Sequence, residues 1–323
     1  MAELEPIVSP TAEAIWAGLV ERENRHDDHP RLSASGLADE CDRKLWYGFR
    51  WVTLGEQFEG RKLSIFQTGN VWEDRLVEYL RGAGMEVDAV DPETGEQYRV
   101  VFAAGHASGR TDGKVRKVPE APVTEHVFEA KSHNQKSFLE LRRKGVKDSK
   151  PLHYGQVQIY MHEQGLTRAL YVAVNKNDDD LYVERVEYDA AYSLTLVAKA
   201  ERIVTSDRAP PKLHEDPEAK MAFQCRFMCD KRGVCHDGEP ARRNCRTCMH
   251  STAEMDGGGR WSCARLNVHS LTHEDQVLGG DCPHHRFLPD LVAGEQTDFD
   301  EAAEAITYAM RDGSTWVDAG RAA

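Results

Sequence analysis

The feature that most constrains this chain is the uneven placement of its cysteines. Eight cysteines are present, and seven of them lie between Cys225 and Cys282, whereas Cys41 stands alone near the start. In a cytosolic chain of this size, clustered cysteines are expected to be metal ligands or buried reduced thiols rather than disulfides. The part of the chain beyond residue 210 is therefore expected to fold around its thiols.

The cysteines beyond residue 240 have the spacing of a zinc site. Cys245 and Cys248 form a C-x2-C knuckle, the glycines at 257–259 supply a tight turn, and the chain then returns to Cys263. This arrangement resembles a zinc ribbon, in which a hairpin presents paired ligands to a tetrahedral metal. Cys282 is the candidate fourth ligand. Three histidines are alternatives to it: His250, His284 and His285.

The composition indicates a folded, soluble protein without a membrane span. The chain has 323 residues, 40% of them hydrophobic, which is enough for one substantial core and a smaller appendage. No apolar run approaches the length that crosses a bilayer. The first ten residues, MAELEPIVSP, contain no basic flank and no apolar stretch. We therefore expect no secretory signal and a cytoplasmic location, in a bacterium or a phage-infected host cell.

Charge is unevenly distributed along the chain. The formal net charge of -13 argues against non-specific DNA binding by the whole surface. The local balance, counted from Lys, Arg, Asp and Glu, is +5 over residues 131–150, +3 over residues 225–246 and -6 over residues 290–323. Basic stretches inside an acidic protein are typical of a local groove for phosphate, although a charge run taken alone is more often a solvated helix face.

Hydrophobic periodicity and capping residues predict alternating helices and strands. The predicted helices cover residues 11–24, a short segment capped by Ser35 that carries Cys41, residues 67–81, residues 153–164 and, after the cap Asp189, residues up to about 206. The predicted strands cover residues 98–104, 107–115, 125–132, 169–174 and 181–188, and those at 107–115 and 125–132 are expected to pair as a hairpin. This order predicts an α/β core, a mixed sheet flanked by helices.

The pair Pro210-Pro211 ends the last predicted helix and marks a boundary. We therefore expect four parts: a core with an N-terminal helical segment at 1–210, a cysteine segment closing onto Cys41 at 211–240, a zinc-ribbon-like module at 241–290, and an acidic tail at 291–323 with a hairpin around Asp312-Gly313.

Three charged residues converge in the predicted hairpin of the core. Glu129 and Lys131 are two positions apart on a strand and therefore point to the same face, and Asp112 can reach them from the neighbouring strand. Two carboxylates at one point repel unless a cation lies between them, and Mg²⁺ prefers oxygen ligands of this kind. The lysine can orient or deprotonate an attacking water and stabilise charge on a phosphate. Glu73, on the apolar stripe of the helix at 67–81, is a candidate further ligand.

The order of these motifs resembles the active site of the PD-(D/E)XK nucleases. GRTDG followed by FEAKS is similar to the RecB-like branch, and Gln156 and Tyr160 in GQVQIYM match its QxxxY motif. Gly69 and Glu73 in GNVWE are similar to the GxxxE helix of lambda-type exonucleases. Each motif alone has low specificity, but their combination in this order is typical of these nucleases. The resemblance covers roughly residues 33–235 and implies a restriction-endonuclease-like core.

The resemblance implies metal-dependent hydrolysis of phosphodiester bonds in DNA. It implies that Mg²⁺ or Mn²⁺ is held by Glu73, Asp112, Glu129 and the carbonyl group of Ala130. Lys131 would then serve the water, and Gln156 and Tyr160 would orient the site. The basic run that follows would grip the DNA backbone through Lys136, Arg142, Arg143, Lys144 and Lys147.

The remaining cysteines resemble those of the iron-sulfur nucleases, the AddB subunit and the CRISPR-associated RecB-like family. CDRKLWY around Cys41 is similar to a family segment, and Cys225, Cys229 and Cys235 follow the core as in that family. The resemblance implies a 4Fe-4S cluster held by these four thiolates. The spacing here is x3 and then x5, where the family has x2 and x5, so zinc is the alternative metal, and four buried thiols are a further alternative.

The function that the resemblance favours is a DNA exonuclease of phage-type recombination or repair. One alternative is a structure-specific endonuclease on the same core, and another is a non-catalytic DNA-binding scaffold protein. The intact set of Asp112, Glu129 and Lys131 argues against the scaffold. The expected partner is DNA, with a single-strand annealing protein and a homo-oligomer as further candidates and no membrane.

Overall fold

The computed structural model of the protein describes residues 9–23, 29–55 and 57–320. The first eight residues, on which the expectation of no secretory signal partly rests, lie outside the described residues, as does Asn24 at the end of the first expected helix.

The helices are α1 (Pro10–Glu23), α2 (Asp42–Phe49), α3 (Gly60–Gly82), α4 (Gln135–Ser149), α5 (Pro151–Gln164), α6 (Ala190–Thr205) and α7 (His273–Leu278). The strands are β1 (Leu32–Ser33), β2 (Glu86–Asp88), β3 (Arg99–Phe102), β4 (Ala107–Arg110), β5 (Gly113–Arg116), β6 (His126–His133), β7 (Arg168–Asn175), β8 (Leu181–Glu187), β9 (Ser251–Ala253), β10 (Trp261–Cys263), β11 (Val268–Leu271), β12 (Gly294–Asp300), β13 (Ala305–Met310) and β14 (Thr315–Asp318).

A five-stranded mixed sheet forms the centre of the fold, in the order β2-β5-β6-β7-β8. Strands β6 and β7 run parallel, with Glu129 opposite Tyr171, and the other neighbouring pairs are antiparallel. Strand β7 is apolar along nearly its whole length because both of its faces are covered. The expected α/β core with a mixed sheet is confirmed.

Helices cover both faces of this sheet. On one face, Leu76, Val77 and Leu80 of α3 pack against strand residues such as Phe128. On the other face, α5 and α6 close the main core, which contains Val127 of β6. Because side chains alternate along a strand, the odd-numbered residues of β6 point towards α5. This alternation places Glu129 and Lys131 between the sheet and α5.

The strand expected at 107–115 is divided in the structure. Strand β4 pairs with β1 and β3 in a separate sheet, whereas β5 pairs with β6 in the central sheet. The break falls at Thr111 and Asp112. Gly113 has a φ of 145°, and a Cβ there would lie 2.6 Å from the carbonyl oxygen of Asp88. The backbone therefore turns from one sheet to the other at Asp112, in a conformation that favours glycine at the next position.

The short helix α2 is capped by Cys41, whereas the sequence analysis predicts Ser35 as the cap. The Sγ atom of Cys41 accepts a hydrogen bond of 3.4 Å from the backbone N–H of Lys44, while Ser35 lies in a separate 3-10 turn. A side-chain acceptor in this position satisfies an N–H group that the first helical turn leaves free. The expected cap of α6 is confirmed, because Asp189 Oδ1 accepts a hydrogen bond of 3.0 Å from the backbone N–H of Tyr192.

The other expected helices and strands are present. Most of their ends differ from the expected bounds by a few residues. The helix expected at 67–81 is the second half of the longer α3, and the hairpin expected around Asp312-Gly313 is formed by β13 and β14. Strand β12, with the sequence GEQTDFD, was missed because it carries no apolar alternation. It pairs with β13 and extends the hairpin to three strands.

The last third of the chain contains two small sheets, β11-β10-β9 and β12-β13-β14. Trp261 of β10 is fully buried and belongs to the same core cluster as Val127 of the central sheet. The segment expected to form a cysteine-rich module thus shares a hydrophobic core with the first part of the chain. No helix within the described residues combines the length and the apolar character needed to cross a bilayer.

Candidate acidic centre and cysteine clusters

The candidate site begins on β6, where Glu129 and Lys131 point to the same face of the sheet. The side chain of Glu129 is 0% exposed, and its Oε1 atom forms an ion pair with Nζ of Lys131, whose side chain is 25% exposed. The Oε2 atom of Glu129 has no hydrogen-bond partner within the described residues. A buried carboxylate with one unbonded oxygen is costly unless a further positive group binds it.

Asp112 reaches the same point from the break between β4 and β5. Its Oδ2 atom accepts a hydrogen bond of 2.8 Å from the backbone N–H of Ala130, which lies between Glu129 and Lys131. Burial raises the pKa of Asp112, while Lys131 and this N–H group oppose the rise. The hydrogen bond fixes the carboxylate against β6, although the two belong to different segments of the chain.

Helix α3 brings Glu73 towards these residues. The side chain is half-buried, and burial together with the nearby Asp112 raises its pKa to about 7, while Lys131 opposes the rise. A carboxyl group on the inward stripe of α3 is therefore close enough to the other charges to interact with them. Glu73, Asp112, Glu129 and Lys131 are called the acidic centre below.

Carboxyl groups outnumber ammonium groups in the acidic centre. Burial raises the pKa of Glu129, and Asp112 and Glu73 raise it further, while Lys131 opposes the rise. Burial disfavours the charge of Lys131, but the three carboxyl groups raise its pKa overall. The excess of carboxyl groups and the unbonded oxygen of Glu129 are the donor chemistry that suits a hard divalent cation.

Helix α5 adds a polar stripe to the acidic centre. Nε2 of Gln156 donates a hydrogen bond of 3.1 Å to the hydroxyl of Tyr160, and both side chains are buried. Burial, and then the negative charge of Glu129, raises the pKa of Tyr160. The ring also needs the glycine at position 109, because a Cβ there would lie 2.5 Å from Cε1 of Tyr160. The structure thus brings the QxxxY pair to the acidic centre, and the roles of the pair stay a prediction.

Two histidines to which the sequence analysis gave no role adjoin the acidic centre. His133 is the next residue after Lys131 on the same face of β6, and His153 lies one helical turn before Gln156 on α5. The hydroxyl of Tyr171 lies 3.1 Å from Nε2 of His133 and 2.8 Å from Nδ1 of His153. The sequence signal that could have revealed these two histidines was their spacing. Residues two positions apart on a strand, or three positions apart on a helix, lie on the same face.

The basic residues expected to contact DNA are exposed on α4, which begins directly after β6: Lys136, Arg142, Arg143, Lys144 and Lys147. Arg142, Lys144 and Lys147 form exposed ion pairs with acidic neighbours. Exposed pairs contribute little to stability, so these cations can exchange an acidic neighbour for a phosphate at small cost. Contact with DNA stays a prediction.

The first cysteine group consists of Cys41, Cys225, Cys229 and Cys235, which line one narrow cavity. Cys41 comes from the cap of α2, and the other three come from short turns after residue 220. Three of the thiols have a backbone N–H donor: Lys44 for Cys41, His214 for Cys225 and Lys231 for Cys229. Four thiols with N–H donors are the chemistry of an iron-sulfur cluster or of zinc.

The second cysteine group consists of Cys245, Cys248, Cys263 and Cys282, which line a cavity of about 290 Å³ together with His250, His284 and His285. Burial and the three neighbouring thiols raise the pKa of Cys245 to about 12. Soft thiol donors placed together in this way suit zinc. Nε2 of His285 is 3.1 Å from the carbonyl oxygen of Asn244, so this histidine is already engaged with the backbone.

Geometry alone identifies no metal centre. Within residues 9–23, 29–55 and 57–320, no set of three or more His, Cys, Asp or Glu side chains stands at metal-holding distances. The fit of each site to a metal therefore depends on the chemistry of its donors. The ligand sets stay predictions for the acidic centre and for both cysteine groups.

Comparison with known proteins gives a weak structural likeness. A scan against protein-family models gave no match, and a search of curated proteins gave none either. The fold is similar to the alkaline exonuclease LHK-Exo from Laribacter hongkongensis, alone and in complex with dAMP, with a TM-score of 0.40 and 17% identity over 59% of this chain and 90% of that chain. It is also similar to SSO0001, with a TM-score of 0.40 and 16% identity over 70% of this chain and 96% of that chain. Function is therefore inferred from the residues of the site.

Proposed function

We propose that this protein is a divalent-cation-dependent DNA exonuclease that hydrolyses phosphodiester bonds at the acidic centre. The observation that carries the proposal is the convergence of Asp112, Glu129 and Lys131. One carboxylate is fixed by the N–H of Ala130, the second is buried with an unbonded oxygen, and the lysine touches the second. A buried arrangement of this kind costs folding free energy, and such arrangements cluster at functional sites.

Each residue of the acidic centre has a role in this reaction. Asp112, Glu129 and the carbonyl group of Ala130 would hold Mg²⁺ or Mn²⁺, with Glu73 as a further ligand. The cation would supply positive charge and Lewis acidity at the phosphate. Lys131 would orient the attacking water and offset the charge that develops on the phosphate oxygens. Gln156 holds the hydroxyl of Tyr160 beside these groups, where it would position the strand.

The choice of DNA as the substrate is supported by the position of α4. This basic helix starts at Gln135, directly after β6, and its cations are exposed. Phosphate groups that bind there release counterions, which favours binding. The proposal of an exonuclease, in phage-type recombination or repair, rests on the lambda-type resemblance of the segment from Gly69 to Glu73.

The two cysteine groups would hold structural metals. We propose a 4Fe-4S cluster, with zinc as the alternative, in the first cysteine group, and zinc in the second. The N–H donors to Cys41, Cys225 and Cys229 support thiolate ligands in the first group. Because Cys41 is far from the other three along the chain, a metal there would clasp the beginning of the core to its end.

The experiment that tests the proposed function compares linear DNA with covalently closed circular DNA, each with Mg²⁺, with Mn²⁺ and with EDTA. We expect linear DNA to be degraded from its ends with either cation, circles to remain intact, and EDTA to stop the reaction. Cleavage of circles would identify an endonuclease instead. Binding to DNA without cleavage under any of these conditions would identify a scaffold protein.

A further inference from the structure

A chain of four polar side chains runs beside the acidic centre, and the proposed function uses none of them. Oγ of Ser137 lies 3.1 Å from Nδ1 of His133, and Nε2 of His133 lies 3.1 Å from the hydroxyl of Tyr171. The same hydroxyl lies 2.8 Å from Nδ1 of His153. The chain therefore connects the first turn of α4 to the first turn of α5 through the central sheet.

The two imidazoles of this chain are neutral at neutral pH. Burial lowers the pKa of His133 to about 4, and nearby lysines, including Lys150 and Lys131, lower it in the same direction. Burial likewise lowers the pKa of His153 to about 3, with Lys131 adding to the effect. Each ring therefore carries one N–H donor and one unprotonated nitrogen.

Tyr171 is fully buried, and its hydroxyl has no other hydrogen-bond partner among the described residues, so its proton goes to one of the two neutral histidines. This leaves two ways to satisfy the whole chain. In the first, Ser137 donates to His133, His133 donates to Tyr171, and Tyr171 donates to Nδ1 of His153. The proton of His153 is then on Nε2. In the second, every hydrogen bond is reversed, and Nε2 of His153 is an acceptor. The direction of the chain thus decides what His153 offers at its outer nitrogen.

His153 lines a cavity at the first turn of α5, and Lys131 of the acidic centre is near enough to lower the pKa of its imidazole. The cavity has a volume of about 370 Å³, and its wall also includes two lysines, two carboxylates and three thiols of the first cysteine group: Lys44, Lys150, Asp39, Glu40, Cys41, Cys225 and Cys229. Since Nδ1 is bound to Tyr171, Nε2 is the nitrogen left for a ligand, and it forms no hydrogen bond in the part of the chain that the structure describes. Tyr171, which anchors the ring, lies directly opposite Glu129 in the β6–β7 pairing. Tyr171 therefore connects the ring of His153, which lines the cavity, to the strand pair that carries Glu129 and Lys131.

We infer that Nε2–H of His153 donates to a backbone phosphate of the DNA strand next to the bond that is cut, and that Tyr171 and His133 are positioning residues that hold this tautomer. The inference rests on the proposed function. A phosphate oxygen only accepts hydrogen bonds, so it selects the first of the two arrangements. Lys150 on the same cavity wall provides charge for the same phosphate.

The test replaces one nitrogen of His153 at a time. The amide nitrogen of Gln occupies the place of Nε2 and donates as that N–H does, whereas the amide oxygen of Asn occupies the place of Nδ1 and accepts from Tyr171 as that nitrogen does. In His153→Asn we expect the KM for linear DNA to rise about tenfold with kcat changed by less than about threefold, because a hydrogen bond present before and during the reaction is removed. In His153→Gln we expect a KM within about twofold of wild type, and in Tyr171→Phe a rise of about threefold.

A matched control exists on the same helix. Nδ1 of His162 lies 2.7 Å from the hydroxyl of Tyr188, so α5 carries a second histidine–tyrosine pair that does not line the cavity. His162→Asn should leave KM unchanged. Melting temperatures of all variants separate a loss of structure from the loss of this one hydrogen bond to DNA.

An unchanged KM in His153→Asn, or an equal rise in His162→Asn, would overturn the inference while leaving the proposed function intact. If His153→Asn does not fold, Tyr171→Phe decides, and a wild-type KM in that variant would overturn it. If the wild-type protein cleaves no DNA with any cation, the proposed function fails by itself. The same variants are then compared by their Kd for linear DNA in Ca²⁺, and an unchanged Kd in His153→Asn overturns the inference.

Discussion

Two buried charged residues of this molecule, Arg246 and Glu129, are satisfied to very different degrees. The side chain of Arg246 is 1% exposed, stacks 3.7 Å above the ring centre of Trp51, and donates hydrogen bonds to the carbonyl groups of Phe49 and Pro30. Glu129 is 0% exposed and leaves Oε2 without a partner among the described residues. Breaking the contacts of a buried charge with many partners destabilises the fold, whereas a buried charge with an unbonded atom costs free energy and indicates a ligand site.

This contrast indicates that the two regions have different tasks. Arg246 lies in the turn between Cys245 and Cys248, so it ties the second cysteine group to the rest of the core. Trp261, which is fully buried, stacks on the same guanidinium at 4.9 Å. We therefore expect changes in this region to lower stability first. Changes in the acidic centre should lower activity first.

The largest expected effect on stability is that of Arg246→Ala. The variant leaves the buried carbonyl oxygen of Phe49 and the amide oxygen of Gln276 without their donor and removes the stacking on Trp51. The free energy of unfolding should therefore fall by about 3 to 4 kcal/mol.

The matched control is Arg232→Ala beside the first cysteine group, because the guanidinium of Arg232 forms partly exposed ion pairs with Glu218 and Asp237. That change should cost less than about 1 kcal/mol. Urea denaturation measures both, and equal losses would contradict the stabilising role of the buried Arg246.

The next effect concerns the metals. Cys248→Ser should lose the zinc of the second cysteine group, keep the metal of the first, and lower the melting temperature more than Cys229→Ser does. Cys41→Ser should lose the same metal as Cys229→Ser, and Cys263→Ser the same metal as Cys248→Ser, because each pair would share one site. Elemental analysis per chain after anaerobic purification measures this. Full metal content in Cys41→Ser would show that Cys41 is not a ligand. Zinc instead of iron in the wild type would show that the first cysteine group holds zinc.

A smaller effect is the pH dependence that Glu73 gives to the metal-free protein. Burial raises its pKa from an ordinary value near 4.5 to about 7 in the folded state. A raised pKa favours folding while the group is protonated, so this contribution is present below about pH 4.5 and is lost as pH rises through 7. In EDTA, urea midpoints of the wild type should therefore fall from pH 5 to pH 8 relative to those of Glu73→Gln. Glu78→Gln, on the exposed side of α3, controls for the loss of one charge, and parallel pH curves for the wild type and Glu73→Gln would contradict this role of Glu73.

The smallest effect concerns the grip on DNA. Neutralising Arg142, Arg143 and Lys144 together should weaken DNA binding and flatten the slope of log Kd against log salt, by about one unit for each phosphate group that is no longer neutralised. Neutralising Arg260, Arg265 and Arg311, which lie in the last third of the chain, is the matched control. If the slope is the same in both variants and in the wild type, α4 is only a solvated surface.

Two pairs of candidate site residues could be predicted from the sequence because the spacing within each pair is local. Glu129 and Lys131 are two apart on one strand, and Gln156 and Tyr160 are four apart on one helix, so each pair shares a face whatever surrounds it. The turn at Asp112 was missed because alternation of side chains does not reveal a change of sheet. The place of Trp261 in the main core was missed because its partners are far away in the sequence.

The most direct test of the proposed reaction is the single-turnover rate at which Lys131→Ala cuts linear DNA with Mg²⁺. Lys131 touches Glu129 within the acidic centre, where it would orient the water and offset the developing charge. We predict that the rate falls by at least about 10³-fold while the Kd for DNA in Ca²⁺ changes by less than about tenfold. Lys117→Ala, an exposed lysine just beyond β5, should cut at the wild-type rate. A Lys131→Ala protein that also cuts at the wild-type rate would contradict the assignment of the acidic centre.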